Sequence, residues 1–283
     1  MPDSLPSPVA LPDDVVAALD RARGHFSAGV PRVLYFPSVT STNDVAARMA
    51  DVGAPDGTVI VAQMQAAGRG RLGRTWFSPP GAGLYASVIL RLVNDPDAMS
   101  FAADGEPGTF FTPMITLAAG VAFAEAVRGC THLPVDIKWP NDLVVGRRKL
   151  AGILAEAAAG GGTGHVILGF GINLRSAAYP PEIADRATSI EAELGRAIDR
   201  GTLLVECLAS LALWTQALRV GRTDAILDRW RSLAPSSRGA RVEWTTAAGT
   251  ASGVTDGIDG EGALLVRTGS GIERIIAGEI RWL

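Results

Sequence analysis

Lysine, cysteine and histidine are all scarce in this sequence, whose 283 residues include only two lysines, two cysteines and three histidines. Cys130 and Cys207 stand far apart without the spacing of a metal site or a redox pair, so we expect ordinary reduced thiols. His25, His132 and His165 share no motif and are expected to be surface or packing residues. The sequence therefore excludes a disulfide scaffold and predicts no protein-bound metal cluster.

A long apolar run and a basic leader are also missing. The longest apolar run, Pro113–Ala124, is too short to cross a bilayer and is followed by Glu125. Met1–Pro12 contains four prolines and lacks the basic start and apolar stretch of a secretory signal, so we expect a loose tail there. These features predict a cytoplasmic protein without membrane contact.

Neither sign of charge dominates, because the net charge is only −3, which provides no overall field to hold nucleic acid. With 47% apolar residues the chain can bury a sizeable core, and its length fits one large domain with a smaller one appended. We predict an N-terminal tail and short helix over residues 1–30, a main domain over 31–234 and a small domain over 235–283.

Periodicity predicts an α+β fold. Five helices are expected, over Asp13–Arg23, Asp44–Asp51, Thr112–Arg128, Thr202–Arg219 and Thr223–Ser232, with Thr202 as the cap of the fourth. Seven strands are expected before residue 235, over Arg32–Phe36, Thr58–Ala62, Leu84–Leu92, Val135–Trp139, Leu143–Val145, Leu150–Ala155 and Val166–Leu174. Four more, over Arg241–Thr245, Thr250–Thr255, Ala263–Thr268 and Glu273–Ala277, suggest a small barrel. Short connections favour antiparallel pairing, hence a mixed β-sheet packed with helices.

A basic, glycine-punctuated loop follows the second predicted strand: Gly68–Trp76 reads GRGRLGRTW and carries three arginines. Guanidinium forks and exposed backbone amides can together wrap a phosphate or a carboxylate. A solvated basic turn, or an RNA-binding arginine–glycine segment, has the same composition. The loop is entered from an apolar strand and left through the aromatic, proline-rich stretch Trp76–Pro80, which favours a lid tethered at both ends.

Lys138 stands out because this chain takes its positive charge almost everywhere else as arginine, with 24 arginines against two lysines. Alternation along Val135–Trp139 places Lys138 on the strand face opposite the main apolar face, and Pro140 ends the pairing. A solvated lysine on an edge strand is the structural alternative. The compact ammonium and the guanidinium fork differ in donor geometry, so the choice of lysine indicates a chemical requirement. The hairpin position of Lys149 weakens the same inference there.

Two further motifs have a functional and a structural interpretation. Ser41-Thr42-Asn43 carries hydroxyl and amide groups suited to cap the helix that follows. Gly169-Phe170-Gly171-Ile172-Asn173 places two glycines on one strand face, which leaves bare backbone where a flat ligand could approach. A bulge or a close helix contact explains the glycines equally well. Asn173 adds an amide able to bond a base edge.

Taken together, Ser41-Thr42-Asn43, GRGRLGRTWFSP, KWPNDL from Lys138, KLAGIL from Lys149 and GFGIN resemble the biotin–protein ligase family, in its order and spacing, over about residues 32 to 283. The resemblance implies a biotin/lipoate ligase-like catalytic domain followed by a small SH3-like β-barrel. It also implies that biotin and ATP condense to biotinyl-5′-AMP with Mg²⁺ present, and that a lysine of the biotin carboxyl carrier domain of a carboxylase, such as acetyl-CoA carboxylase, then displaces AMP.

The resemblance also assigns roles to residues. Lys138, Arg69 and Arg71 are expected to be catalytic. The expected biotin-binding residues are Ser41, Thr42, Asn43, Gln65, Arg69, Gly70, Arg71, Lys138 and Gly152. The residues expected to bind ATP and the adenylate are Arg69, Arg71, Arg74, Trp76, Lys138 and Asn173.

Some bacterial family members carry an N-terminal DNA-binding domain, whereas only about thirty residues precede the first matching strand here. We therefore expect a monofunctional ligase that does not bind nucleic acid, either monomeric or homodimeric. A lipoate or octanoate ligase of related fold is the nearest alternative, although it does not explain the GRGRLGR loop. A non-catalytic nucleic-acid-binding module is the alternative from another class, and net acidity opposes it.

Overall fold

The structure, a computed structural model, describes residues 6–26, 29–91, 111–158, 165–177, 179–246 and 249–283. Seven strands form its main sheet: β1 (Val33–Phe36), β2 (Val59–Ala62), β3 (Gly83–Leu90), β4 (Val135–Lys138), β5 (Asp142–Val145), β6 (Arg148–Ala158) and β7 (His165–Asn173). Their spatial order is β1-β2-β3-β7-β6-β5-β4. Among these strands the β1–β2 pair is parallel and the other pairs are antiparallel, so the predicted mixed sheet is confirmed.

Helices cover both faces of this sheet. They are α1 (Asp13–Arg21), α2 (Thr42–Asp51), α3 (Phe111–Thr131), α4 (Pro181–Ala184), α5 (Ile190–Leu194), α6 (Arg200–Arg219) and α7 (Thr223–Leu233). Strand alternation directs Val59 and Val61 into the core shared with α1, α3, α6 and α7, and directs Ile60 toward α2. The two short helices α4 and α5 were not predicted, because four or five residues carry too little periodicity.

Five antiparallel strands form the C-terminal domain: β8 (Arg238–Thr246), β9 (Gly249–Ile258), β10 (Leu264–Thr268), β11 (Gly271–Ile275) and β12 (Ile280–Trp282). Their order is β11-β10-β9-β8-β12, so β11 and β12 are the two edges of the hydrogen-bonded sheet in the described residues. The sequence predicts four of these strands, in a small barrel, and β12 was not predicted. That strand has only three residues, and its place comes from pairing with β8.

One hydrophobic core runs through both domains. Val242, Val266 and Ile280 of the C-terminal sheet belong to the same buried cluster as the core of the main sheet. The indole of Trp139 donates a 3.0 Å hydrogen bond to the carbonyl of Gly262, which joins the end of β4 to the β9–β10 turn. The C-terminal domain is therefore fastened beside β4, at one edge of the main sheet.

The N-terminal tail is held more closely than expected. The amide of Val9 donates a 2.9 Å hydrogen bond to the carbonyl of Tyr35 in β1. Helix α1 packs against α6, where Arg200 forms two hydrogen bonds with the Asp14 carboxylate, at 3.0 and 2.9 Å. The prediction of a loose tail is thus wrong at Val9, because the exposed edge of β1 offers it a backbone partner.

Two predicted helix caps are also wrong. Ser41 is the residue before α2, but its side chain makes no capping bond, and Thr42 and Asn43 lie inside the first turn. Helix α6 is capped by Asp199, whose carboxylate accepts from the amide of Thr202, the residue predicted as the cap. The sequence also predicts a polar loop over residues 93–108 and a glycine-rich tip over residues 160–164, and both segments lie outside the described residues.

Two helices, Pro113–Thr131 and Arg200–Arg219, are long and apolar enough to span a membrane by length and composition alone. In the most apolar window of each, 78% and 50% of the residues are buried inside the protein. Their apolar side chains, including Phe123 and Leu204, belong to the shared core. Both are core helices of this fold.

Candidate active site

A cavity of about 300 Å³ opens at one end of the main sheet. It lies between the N-terminus of α2, the loop that follows β2, the β4–β5 turn, and the residues just before β12. The cavity is lined by all twelve residues that the sequence singled out: Ser41, Thr42, Asn43, Gln65, Arg69, Gly70, Arg71, Arg74, Trp76, Lys138, Gly152 and Asn173. Folding thus brings the five motifs together, and the individual roles of these residues stay predictions.

The N-terminus of α2 forms a buried polar wall. The Thr42 amide and hydroxyl both donate to Gln65 Oε1, at 2.9 and 3.2 Å. The hydroxyl of buried Ser87 lies 2.7 Å from Thr42 Oγ1 and 2.6 Å from Asn43 Oδ1. Asn43 Nδ2 donates a 2.6 Å bond to Glu156. This network replaces the expected caps, because the side chains of Thr42 and Asn43 satisfy the sheet and the neighbouring loop instead of the helix end.

The three arginines of the lid loop contact four different residues. Arg69 bridges Asp44 at 2.7 Å and Glu156 at 2.8 Å, while Arg74 pairs with Glu279 of the C-terminal domain. Arg71 lies 3.4 Å from Asn141 Oδ1 at the β4–β5 turn. Burial lowers the pKa of the Arg71 guanidinium, and the nearby Asp142 carboxylate counteracts this effect. The loop is therefore folded over the cavity by side-chain contacts at both its ends.

The sequence left two explanations for the glycine pair of β7, a close helix contact and a flat group lying on the bare backbone, and each glycine fits one of them. A Cβ at Gly169 would lie 2.1 Å from Asn43 Oδ1, so this glycine permits close approach of α2. A Cβ at Gly171 would lie 2.2 Å from Trp76 Nε1, so this glycine permits a flat group, here the indole itself. The Trp76 Nε1 atom is buried and makes no hydrogen bond within the described residues.

Lys138 ends β4 and lines the cavity, so it is not the solvated lysine of an edge strand. Burial lowers the pKa of its ammonium, while the Asp142 and Glu279 carboxylates counteract that effect. Lys149 also lines the cavity, with Nζ 2.6 Å from Asp142 and 5.3 Å from the centre of the Trp76 ring. Its hairpin position weakens the functional prediction for Lys149, but lysine is rare in this chain and that argument applies to both lysines.

Asn173 is buried at the end of β7, where its Nδ2 donates a 2.9 Å bond to the carbonyl of Thr188. Its amide group is thus tied to the segment between β7 and α5. That segment contributes cavity residues that the sequence did not reveal, namely Tyr179, Ile183, Arg186 and Ala187. Burial raises the pKa of the Tyr179 hydroxyl, which keeps it neutral. No sequence motif marks this segment, because its residues reach the cavity only through the order of the strands in the sheet.

The C-terminal domain supplies Gly278, Glu279 and Ile280 to the cavity. The hydrogen bond and the charge of Arg74 lower the pKa of Glu279, which favours the ionised carboxylate. Cationic side chains outnumber carboxylates among the described residues that line the cavity. The carboxylates are Asp142 and Glu279, and the cations are Arg69, Arg71, Arg74, Lys138, Arg147, Lys149 and Arg186. Such a surface binds anionic groups such as phosphate and carboxylate.

Comparisons with known proteins identify the family of both domains. Residues 35–173 match the biotin/lipoate A/B protein ligase family, and residues 239–281 match the biotin protein ligase C terminal domain. The biotin–[acetyl-CoA-carboxylase] ligase of Mycobacterium tuberculosis is 36% identical over 247 residues, 85% of each chain. That of Paracoccus denitrificans is 32% identical over 85% of this chain and 96% of its own length.

A solved structure has the same fold. The biotin protein ligase from Aquifex aeolicus in complex with biotin and ATP superimposes with a TM-score of 0.73 at 27% identity, covering 89% of this chain and 98% of that one. The matches include both domains, and this chain covers 85% to 98% of the length of these relatives. The chain belongs to the biotin protein ligase family.

Proposed function

We propose that this protein activates biotin with ATP to biotinyl-5′-AMP and transfers the biotin to a lysine of the biotin carboxyl carrier domain of a carboxylase. The main support for the proposal is that one cavity contains both the polar N-terminus of α2 and more cationic than acidic side chains. Relatives named biotin–[acetyl-CoA-carboxylase] ligase, and a related structure containing biotin and ATP, support the choice of substrates.

The first step joins two anions. A biotin carboxylate oxygen attacks the α-phosphorus of ATP, a mixed anhydride forms, and the bond to the β-phosphate oxygen breaks to release pyrophosphate. Fixed cations lower the barrier by stabilising the charge that develops in the transition state. Lys138 and Arg71, with Arg69 at the α2 side of the cavity, are the proposed catalytic cations. The second step needs only the acceptor amine, which attacks the carbonyl carbon, displaces AMP and loses a proton.

The polar wall of α2 is the proposed biotin end of the cavity. Ser41, Thr42, Asn43 and Gln65 offer donors and acceptors for a neutral ureido group, while Gly152 leaves room beneath Trp76. Arg69, Gly70 and Arg71 would close over the bound ligand, and closure would exclude the water that hydrolyses a mixed anhydride.

The part of the cavity beside Arg74 and Lys138 is the proposed adenylate site. Arg71, Arg74 and Lys138 would meet the phosphate, and the Trp76 indole supplies a flat surface for a ring. We propose that Asn173, whose Nδ2 is tied to Thr188, acts near the adenine through this segment and its remaining amide oxygen.

Mg²⁺ is proposed to accompany ATP, bound to its phosphates. The donor set is compatible, since Asp142 and Glu279 place carboxylate oxygens at the cavity, and Mg²⁺ commonly combines one or two carboxylates with phosphate and water. Within the described residues no three His, Cys, Asp or Glu side chains group into a metal site. We also propose that the protein is cytoplasmic, that it is monomeric or homodimeric, and that it does not bind nucleic acid. The domain limits at residues 30 and 234 are proposed as well.

Incubation of the purified protein with labelled biotin, Mg·ATP and an apo carrier domain tests this function. Biotinyl-AMP and labelled carrier are expected, and parallel reactions with lipoate and octanoate should give neither acyl adenylate nor labelled carrier. Absence of both products with biotin would refute the proposal, whereas product formation only with lipoate or octanoate would assign the chain to the related acyl ligases.

A further inference from the structure

The two lysines of the cavity have different surroundings. Lys149 has a carboxylate partner, Asp142, at 2.6 Å. Lys138 forms no ion pair with any carboxylate of the described residues, and its Nζ lies 4.8 Å from the centre of the Trp282 ring. Trp282 comes from the C-terminal domain, so the lysine of the main sheet is held by a residue near the other end of the chain.

Trp282 is fixed from both domains. It pairs with Val242 in the β8–β12 ladder, and the next residue, Leu283, donates a 3.0 Å bond from its amide to the carbonyl of Arg241. Arg147, at the β5–β6 turn, donates a 3.0 Å bond to the carbonyl of Leu283. The indole also packs against the shared hydrophobic core. Its position above β4 is therefore set by backbone pairing on one side and by the main domain on the other.

An aromatic face can hold an ammonium without using its hydrogen-bond donors. A carboxylate at the same place would neutralise the cation and occupy at least one N–H group. The face of tryptophan attracts the charge through its quadrupole and leaves the N–H groups that point away from the ring available. Besides Trp282, the charged groups around Lys138 are Asp142 on β5, Glu279 before β12, Lys149 on β6 and Arg186 before α5.

We propose that Trp282 is a positioning residue for Lys138: its indole face holds the ammonium at the cavity while the outward N–H donors stay free for the anionic substrate. The catalytic consequence rests on the proposed function, whereas the contact itself does not. Trp282 thereby makes the C-terminal domain part of the reaction centre through the lysine, without a substrate contact of its own.

The scarcity of lysine allows a direct test of the contact. Labelling with ¹³C-lysine gives only two sets of side-chain signals, from Lys138 and Lys149. The Hε protons of Lys138 should show a ring-current shift that is lost in Trp282→Leu, while those of Lys149 stay in place. The matched control is Trp76→Leu, which should move Lys149 and leave Lys138 unchanged, because Lys149 Nζ lies over the Trp76 ring.

Titration of the same signals separates positioning from a merely structural role. Leucine keeps the apolar cover but lacks the aromatic face, so the pKa of Lys138 should fall further in Trp282→Leu. Trp282→Phe retains an aromatic ring and should restore part of the difference. Thermal unfolding of both variants verifies that the fold is intact.

Adenylate formation gives the functional readout. In Trp282→Leu, kcat should fall about tenfold, while KM for biotin stays within about twofold, since the lysine acts mainly in the transition state. Trp282→Phe should recover most of kcat. Unchanged Lys138 signals and titration in Trp282→Leu, or unchanged kcat in that variant, would overturn the proposal. If the wild-type protein forms no adenylate, the proposed function fails, and the lysine signals still decide whether Trp282 holds Lys138.

Discussion

The two lysines occupy one cavity, but within the described part of the chain only Lys149 is neutralised by a carboxylate. Lys138 keeps its charge for a ligand, in surroundings whose burial lowers its pKa. An arginine in its place would carry the same charge on a larger, planar group with a different donor geometry. At the scale of single residues, shape and not only charge decides whether this site works.

Lys138→Arg should therefore lower the rate of adenylate formation about a hundredfold, as expected when a preorganised group that stabilises the transition state is misplaced. Unfolding temperature should change little. Lys149→Arg is the matched control, because an arginine there can still pair with Asp142, and its effect should be much smaller. Near-normal turnover of Lys138→Arg in a single-turnover assay would show that Lys138 is not catalytic.

The pH dependence of the same step follows from the pKa of Lys138. The charged ammonium is the active form, and burial lowers its pKa, so activity should be full at neutral pH and decline as pH rises through a value below that of an exposed lysine. In Lys138→Arg the residual activity should lack this alkaline limb, because arginine stays protonated. An identical alkaline limb in both proteins would assign it to another group.

The lid loop is the element that connects the two domains at the cavity. Its Arg74 pairs with Glu279, just before β12, and Arg69 reaches Asp44 on α2. Leu72, at the tip, has a left-handed backbone with φ of 57°, and its side chain is 69% exposed. The loop is thus anchored through its arginines, and its apolar tip is exposed.

Arg74→Ala should speed release of biotinyl-AMP about tenfold, the effect of losing one charge-assisted hydrogen bond. Stopped-flow chase of the preformed adenylate measures this rate. Arg281→Ala removes a comparable ion pair, with Glu243, in the same segment but outside the residues that line the cavity, and should leave release unchanged. Equal effects of both substitutions would indicate a general loosening of the C-terminal domain.

On the scale of the whole molecule, the shared core predicts that both domains unfold together. Gly262 lies at their junction with φ of +84°, and a Cβ there would lie 2.6 Å from Leu117 Cδ1. Gly262→Ala should lower the free energy of unfolding by about 2 kcal/mol through backbone strain and overpacking. Gly260→Ala, with nothing within 4 Å of its Cβ, is the control and should have little effect. Urea unfolding followed in both domains would contradict a shared core if two separate transitions appeared.

Most strands and helices could be predicted because they depend on local sequence patterns. Alternation in VDIKW, the glycines of GFGIN and the arginines of GRGRLGR are enough to identify strands and a loop, and the family resemblance adds the expected site residues. Periodicity failed where an element is too short, as in α4, α5 and β12, or where a side chain had two possible partners. Thr202 could cap α6 by itself, but Asp199 is the residue whose carboxylate accepts its amide.

The sequence by itself determined the mixed α+β fold and the family resemblance, because both depend on residue type and spacing along the chain, and the resemblance identified twelve of the residues that line the cavity. Only the tertiary structure decided the partners: Arg74 with Glu279, Lys149 with Asp142, and Lys138 with Trp282. Local patterns do not encode which of these residues meet. The pairs arise when sheet order and the docking of the C-terminal domain bring the chain's end against β4.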